Sequence, residues 1–505
     1  MTIPELLAAQ AERHGDKTFI ICDGEEYSYR TINDRAATVA ANLQRRGAGP
    51  GDMVMVLTGN CLEFLYVFLG AGRIGAVCVP VNPMLKPEEI AYIAQDAGAK
   101  ILITVPEFAP MLDQAKQMIP SLAHAFVLGE AAGGGESFEA LLEPAGDIPE
   151  IAAEEEDLAA LIYTSGTTGT PKGVMLTHNN YIWNARMLQR RIEMNEADRF
   201  LCVLPLFHVN AQVTSTLSPL MAGGDVLLMK KFNPFAILPM IEQYRTTILS
   251  AVPTIYNVIC RMPGAEKHDV SSMRLFASGA APLSEETYAL TQRVLKQPLV
   301  MGYGLSEATC ASAVADPRDP IKWDSVGSAL RYTGIRILGE DGADVPVGEI
   351  GEILVSGPAV MKGYYNDAEA TEAVLRDGWL RTGDLGRLDN EGYLFVVGRV
   401  KELIIRGGLN VYPQQIEAVL SKLPGVEECA VVGVDEPRWG QEVLAVIKTA
   451  EGHSLDERTV LEYCREHLAQ YKCPRLVRFV EDFPKTATGK IKKNEVLQQL
   501  PDIGG

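Results

Sequence analysis

Tyr163-Thr164-Ser165-Gly166-Thr167-Thr168-Gly169-Thr170-Pro171-Lys172-Gly173 packs glycines, hydroxyls and a lysine into one short stretch. Glycines let backbone N–H groups turn toward an anion, the hydroxyls add donors, and Lys172 adds a point charge suited to outer phosphates. The apolar run Leu158-Ala159-Ala160-Leu161-Ile162 just upstream reads as a buried strand that delivers the loop at its carboxyl end. An ordinary P-loop needs Gly-Lys-Ser/Thr where this chain has Pro171-Lys172-Gly173, so the Walker pattern is excluded.

Outward from that loop the chain alternates short apolar runs (53–57, 77–81, 101–105, 125–128) with helical patterns over 31–46, 61–74 and 86–97. That alternation predicts an α/β architecture. Residues 130–157, rich in Gly, Pro and Glu, read as a connector with a solvated acidic run at 154–157. Between 327 and 397 the pattern turns to short strands punctuated by Asp-Gly and Asn-Glu-Gly turns, which predicts a β-rich unit. Beyond Lys401, helix and strand patterns at 414–420, 429–434, 443–448 and 456–467 predict a small separate α/β unit.

At 505 residues the length predicts roughly two to four structural units. The net charge of −19 argues against a nucleic-acid partner, so any nucleotide site must concentrate positive charge locally. Nine cysteines without a CxxC or Cys/His cluster give no metal signature and read as reduced, buried thiols. The longest apolar tract, 64–83, is broken by Arg73, glycines and Pro80, so no transmembrane segment is expected and a cytoplasmic protein is the default. Pro501–Gly505 carries no Ser-Lys-Leu peroxisomal address. Nothing in the sequence settles the oligomeric state, and a homodimer is compatible with it.

Five further motifs follow in order: Ser278-Gly279-Ala280-Ala281-Pro282-Leu283, Gly302-Tyr303-Gly304-Leu305-Ser306-Glu307-Ala308-Thr309, Thr382-Gly383-Asp384-Leu385-Gly386, Gly398-Arg399-Val400-Lys401-Glu402 leading into Ile404 to Asn410, and Pro484-Lys485-Thr486-Ala487-Thr488-Gly489-Lys490-Ile491. With the opening loop they resemble, over nearly the whole chain, the adenylate-forming superfamily of acyl-CoA synthetases, nonribosomal-peptide adenylation domains and luciferases. The resemblance implies a large N-terminal domain (1–398) of two α/β sheet subdomains plus a β-rich subdomain, a hinge at 399–401, and a small mobile α+β lid (402–505). It implies ATP and coenzyme A as substrates beside a carboxylic acid, and Mg²⁺ as cofactor.

Residue by residue, the resemblance implies phosphate contacts from Thr164, Ser165, Gly166, Thr167, Thr168, Gly169 and Lys172. It implies a nucleotide pocket from Gly279, Ala280, Ala281, Gly302, Tyr303, Gly304, Leu305 and Ser306, with the Tyr303 ring against adenine. Glu307, with the Thr164 hydroxyl, would hold Mg²⁺. Asp384 would accept the ribose hydroxyls, and Arg399 would contact ribose and phosphate. Lys401 falls at the pivot, Gly407 and Gly408 would line the pantetheine tunnel, and Lys490 is the adenylation lysine. Two steps follow: carboxylate attacks the ATP α-phosphate with loss of pyrophosphate, then CoA thiolate displaces AMP. Lys490 would bridge the charge that gathers on the carboxylate and α-phosphate.

The segment Leu204-Pro205-Leu206-Phe207-His208-Val209-Asn210-Ala211-Gln212 resembles the family's acyl-side loop. Phe207-His208 stands where amino-acid-activating relatives carry an Asp, which disfavours amino acids. His208, Asn210, Gln212, Thr214, Ala280 and Gly304 are the expected acyl-side residues, mostly small or neutral. Gln212 replaces the gate tryptophan of some long-chain enzymes, and neutral Asn210 offers no charge to a carnitine-type ammonium group. The expected substrate is a fatty or related hydrophobic acid. An aryl acid such as benzoate or coumarate, a crotonobetaine/carnitine-type acid, and acyl transfer to a carrier protein are the alternatives. A luciferase-like oxygenase shares the motifs, and a noncatalytic nucleotide-binding protein would be expected to have lost Lys490 or Glu307.

Overall fold

Near-continuous apolar runs and amphipathic helices alternate so that both faces of each strand can be buried, and the computed structural model realises this as two large sheets with helices between and outside them. It describes residues 1–164, 170–436, 440–485 and 491–500. One sheet runs in the order Ser328–Ala329, Ala313–Val314, Leu299–Tyr303, Leu275–Gly279, Ile248–Ala251, Arg199–Cys202, Asp225–Leu228, Thr18–Cys22 and Glu25–Ser28. From Leu299–Tyr303 to Thr18–Cys22 every neighbouring pair is parallel. The second sheet runs Gly363–Tyr364, Lys172–Thr177, Leu158–Thr164, Val77–Pro80, Met53–Leu57, Ile101–Thr104, His124–Val127 and Glu136–Ser137.

Alternating side chains divide these strands between two environments. Val54 and Val56 point with Ile20, Val226 and Leu228 into a shared central layer that holds the helices Tyr29–Arg45, Leu62–Gly70 and His178–Arg191. Met53, Met55 and Leu57 face an outer helix layer, as do Leu201, Leu227 and Leu249 on the far side of the other sheet. The central layer therefore locks the two sheets together, and burial of this kind contributes roughly 25 cal/mol per Å² of apolar surface.

An antiparallel sheet follows, built from Gly334–Leu338, Gly351–Ser356, Trp379–Leu388, Leu375–Arg376 and Leu394–Arg399. The last unit pairs Leu409–Val411, Ile404–Arg406, Gly440–Thr449, Val426–Glu436 and Leu476–Val480, with helices Pro413–Leu420, Glu457–His467 and Lys493–Gln499. The expected elements are present with ends moved by a few residues. Two features differ from the sequence reading. The helical pattern at 61–74 splits into an α-helix, Leu62–Gly70, and a tighter turn, Ala71–Ile74, where Gly72 lets the chain press against His178. A short helix, Ala368–Val374, interrupts the β-rich stretch, its N-terminus capped by Asp367.

The nine cysteines are all unpaired, and burial lifts their thiols, to about 12 for Cys61 and about 11 for Cys310. Such thiols carry little thiolate near neutral pH and make poor nucleophiles. Among the described residues no helix is long and apolar enough to cross a membrane.

His178 opens the helix His178–Arg191, is 2% exposed, and accepts at Nδ1 from the Ile3 amide at 3.3 Å. Desolvation pushes its pKa down from 6.5 to about 4, against the pull of Asp157 and Glu5. A lowered histidine value means that the unfolded chain binds the proton first, so stability is full above pH 6.5 and falls as the pH drops toward 4. The loss is on the order of 3 kcal/mol at its limit. Urea titrations should show wild type losing more stability than His178→Gln between pH 7 and 4. Parallel pH curves would contradict this role.

Candidate active site

The carboxyl ends of the parallel strands of both sheets converge on one region, where α/β folds place their ligands. The loop Ser165–Gly169 and Lys490 lie outside the described residues. Thr164 ends the strand Leu158–Thr164, which pairs antiparallel with Lys172–Thr177, Thr164 opposite Lys172. Lys172 therefore opens its strand directly across from the last residue of the preceding one.

Lys172 lies 3.6 Å from Asp367 and 5.1 Å above the Tyr364 ring, a cation–π arrangement. The Tyr364 hydroxyl donates to Glu307 Oε1 at 3.1 Å. One aromatic side chain thus links the loop lysine to Glu307. Burial raises the Glu307 carboxyl above the usual range, with Arg399 pulling the other way. A cleft of about 490 Å³ lies alongside, lined by Thr170, Lys172, Tyr365 and Asp367 among others. Tyr364 and Asp367 escaped the sequence reading. Their signal is the run Gly363-Tyr364-Tyr365-Asn366-Asp367, whose first two residues add an edge strand beside Val174 and Met175.

Asp384 is 8% exposed. It accepts from the Tyr303 hydroxyl at 2.8 Å and pairs with Arg399 at 3.1 Å, the residue opposite it in the neighbouring strand. Tyr303 is buried, and desolvation raises its phenol. Arg399 stays half exposed and able to reach a ligand. Gly304 is required by close approach: a Cβ there would sit 1.6 Å from the Cys310 carbonyl oxygen. Gly279 is less tightly confined, a Cβ lying 2.8 Å from the Gly302 carbonyl oxygen. Ala280 holds φ +65°, costly for an L-residue and common where loops are shaped for ligands. Ala281, Leu305 and Ser306 flank these turns, half-buried.

Among the residues expected on the acyl side, His208 precedes the short helix Val209–Gln212, and its ring lies 4.7 Å from that of Phe207. Asn210 Oδ1 is buried without a hydrogen-bond partner among the described residues. Thr214 Oγ1 lies 3.4 Å from Cys310 Sγ. Gln212, expected as an amide on the acyl wall, is wholly buried with both amide ends engaged. It accepts from Tyr181 Oη at 2.6 Å and donates to the Leu206 carbonyl at 2.8 Å, supporting the loop from beneath. Gly407 and Gly408, both at positive φ, form the turn between strands Ile404–Arg406 and Leu409–Val411. Lys401 lies in the turn Val400–Glu402 that follows Arg399. The structure thus brings Tyr303, Asp384, Arg399 and Glu307 into mutual range, with Lys172 joined through Tyr364.

Comparison with known proteins agrees with this geometry. The AMP-binding enzyme family matches residues 7–365, and the AMP-binding enzyme C-terminal domain matches residues 415–490. A feruloyl-CoA synthase of Amycolatopsis sp is 39% identical over 97% of this chain and 96% of its own length. The long-chain-fatty-acid–CoA ligase FadD13 of Mycobacterium tuberculosis is 35% identical over 94% of this chain and 93% of its own. The crystal structure of ATP-bound MatB from Rhodopseudomonas palustris superposes with a TM-score of 0.92 at 33% identity, covering 99% of each chain. A large N-terminal and a small C-terminal domain, two family models in chain order and relatives matched over nearly their whole length all agree: the chain belongs to the AMP-binding enzyme family, as an ATP-dependent, AMP-forming acid–thiol ligase of the adenylate-forming superfamily.

Proposed function

We propose that this ligase activates a hydrophobic carboxylic acid as its acyl adenylate and passes the acyl group to CoA. The observation that supports the reading is the Tyr303–Asp384–Arg399 cluster, in which a buried carboxylate is held by a phenol and a half-exposed guanidinium beside the motif glycines, the place where the resemblance puts the ribose. Lys172 and the glycine loop balance pyrophosphate as it leaves. Lys490 bridges carboxylate and α-phosphate in the first step, and His208 flanks the acyl carboxylate. The residues fit a magnesium ion: Glu307 and Thr164 offer hard oxygen donors, and a carboxylate raised by burial gains from a nearby cation. Bound there, the ion would neutralise charge on the phosphates.

For the second step, the unit 402–505 turns about the hinge 399–401, withdrawing Lys490 and presenting Gly407 and Gly408 to pantetheine. The expected acyl side supports an apolar acid, because Thr214, Ala280 and Gly304 are small or uncharged and Asn210 is neutral. A second reading, an aryl acid carrying a ring hydroxyl, is favoured by the unpartnered acceptor Asn210 Oδ1.

An acid panel scored by pyrophosphate release, with and without CoA, tests the reading. Specificity constants should rise along straight-chain acids, by about 0.8 kcal/mol per buried methylene, to an optimum and then fall. Hydroxylated aryl acids surpassing every member of that series would establish the second reading. Carnitine or crotonobetaine outperforming both would overturn the apolar pocket.

Lys490→Ala should lose adenylate formation by about 3 kcal/mol or more in the barrier, while thioester formation from supplied acyl adenylate and CoA persists. Equal loss in both half-reactions would remove Lys490 from the first step alone.

A further inference from the structure

The turn between strand Met53–Leu57 and helix Leu62–Gly70 projects one buried amide across the gap between the two sheets. Asn60 donates through Nδ2 to the carbonyls of Leu204, at 3.1 Å, and Met229, at 3.0 Å. Its Oδ1 accepts from the Leu206 amide at 2.7 Å. The side chain thus uses both donors and its acceptor on backbone of the opposite sheet, at the carboxyl ends of Arg199–Cys202 and Asp225–Leu228. The turn is itself anchored, since Cys61 Sγ caps the following helix by accepting from the Phe64 amide.

The segment that Asn60 holds leads directly into Phe207 and His208. From below, Gln212 takes the remaining Leu206 carbonyl, and the His208 amide donates to the Pro205 carbonyl at 3.0 Å. Two buried side-chain amides, one from each side, therefore set the course of residues 204–208. A shift of a fraction of an ångström in such a segment is enough to misplace a reacting carboxylate.

We infer that Asn60 is a positioning residue for the acid: it acts through the 204–208 segment to aim His208 and the acyl wall, and leaves the nucleotide cluster untouched. This rests on the acyl-side reading of His208 given above. A buried asparagine elsewhere supplies the comparison. Asn42 donates to the carbonyls of Leu141 and Glu143 at 3.0 and 2.9 Å, in the central layer and with no contact to the acyl-side segment.

The experiment measures ATP–pyrophosphate exchange for wild type, Asn60→Ala, Asn60→Asp and Asn42→Ala, with ferulate and decanoate as acids. Asn60→Asp keeps the acceptor for Leu206 and sets a carboxylate against two carbonyls. In both Asn60 variants kcat/KM for the acid should fall by about tenfold or more, while KM for ATP stays within about twofold. Asn42→Ala should lower the melting temperature and leave both constants near wild type. Equal loss toward acid and ATP, unchanged constants in folded Asn60 variants, or failure of both variants to fold would each overturn the inference. Wild type without acid-dependent exchange on either acid would instead overturn the hydrophobic-acid reading.

Discussion

A carboxylate buried among partners is the interaction on which this architecture turns. Asp384 belongs to the antiparallel sheet, Tyr303 to the nine-stranded sheet, and the hydrogen bond between them ties the two together. Arg399, opposite Asp384 and immediately before the turn into the C-terminal unit, completes the group. Taking a carboxylate out of water is costly unless its lone pairs are engaged, so the phenol and guanidinium are conditions for its burial as well as parts of a site.

The acidic chain, at −19, meets the demand for an anion site by local means. Lys172 is held close to Asp367 and over Tyr364, and Tyr364 in turn reaches Glu307. Positive charge is placed beside an acidic neighbour and an aromatic face that hold it in position. The pairs are partly exposed, so their individual worth is small, and their value lies in orientation. The long-range field of the protein repels polyanions, and recognition falls to donors within the cleft.

The acyl side depends on a different constraint, the satisfaction of buried backbone. Residues 204–208 form no regular ladder, so their carbonyls and amides need side-chain partners. Asn60 and Gln212 provide them from opposite directions. Irregular backbone fixed in this way combines the freedom to shape a pocket with the rigidity of the sheets on which it is mounted.

The alternation of elements, the strand through Leu158 to Ile162 and the order of the motifs were legible because each is local: period and spacing are written in adjacent residues. Gly304 was legible as a motif residue, whereas the Cys310 carbonyl that leaves no room for a Cβ there was not. Tertiary structure alone decided that Tyr364 meets Glu307 across 57 residues, and that Asn60 reaches Leu204 and Leu206 across 144 and 146. It also turned Gln212 from the expected acyl wall toward Tyr181 and Leu206. An amide or phenol carries no local sign of its partner. Its role is set by which unsatisfied backbone or carboxylate the packing of two sheets brings within about 3 Å.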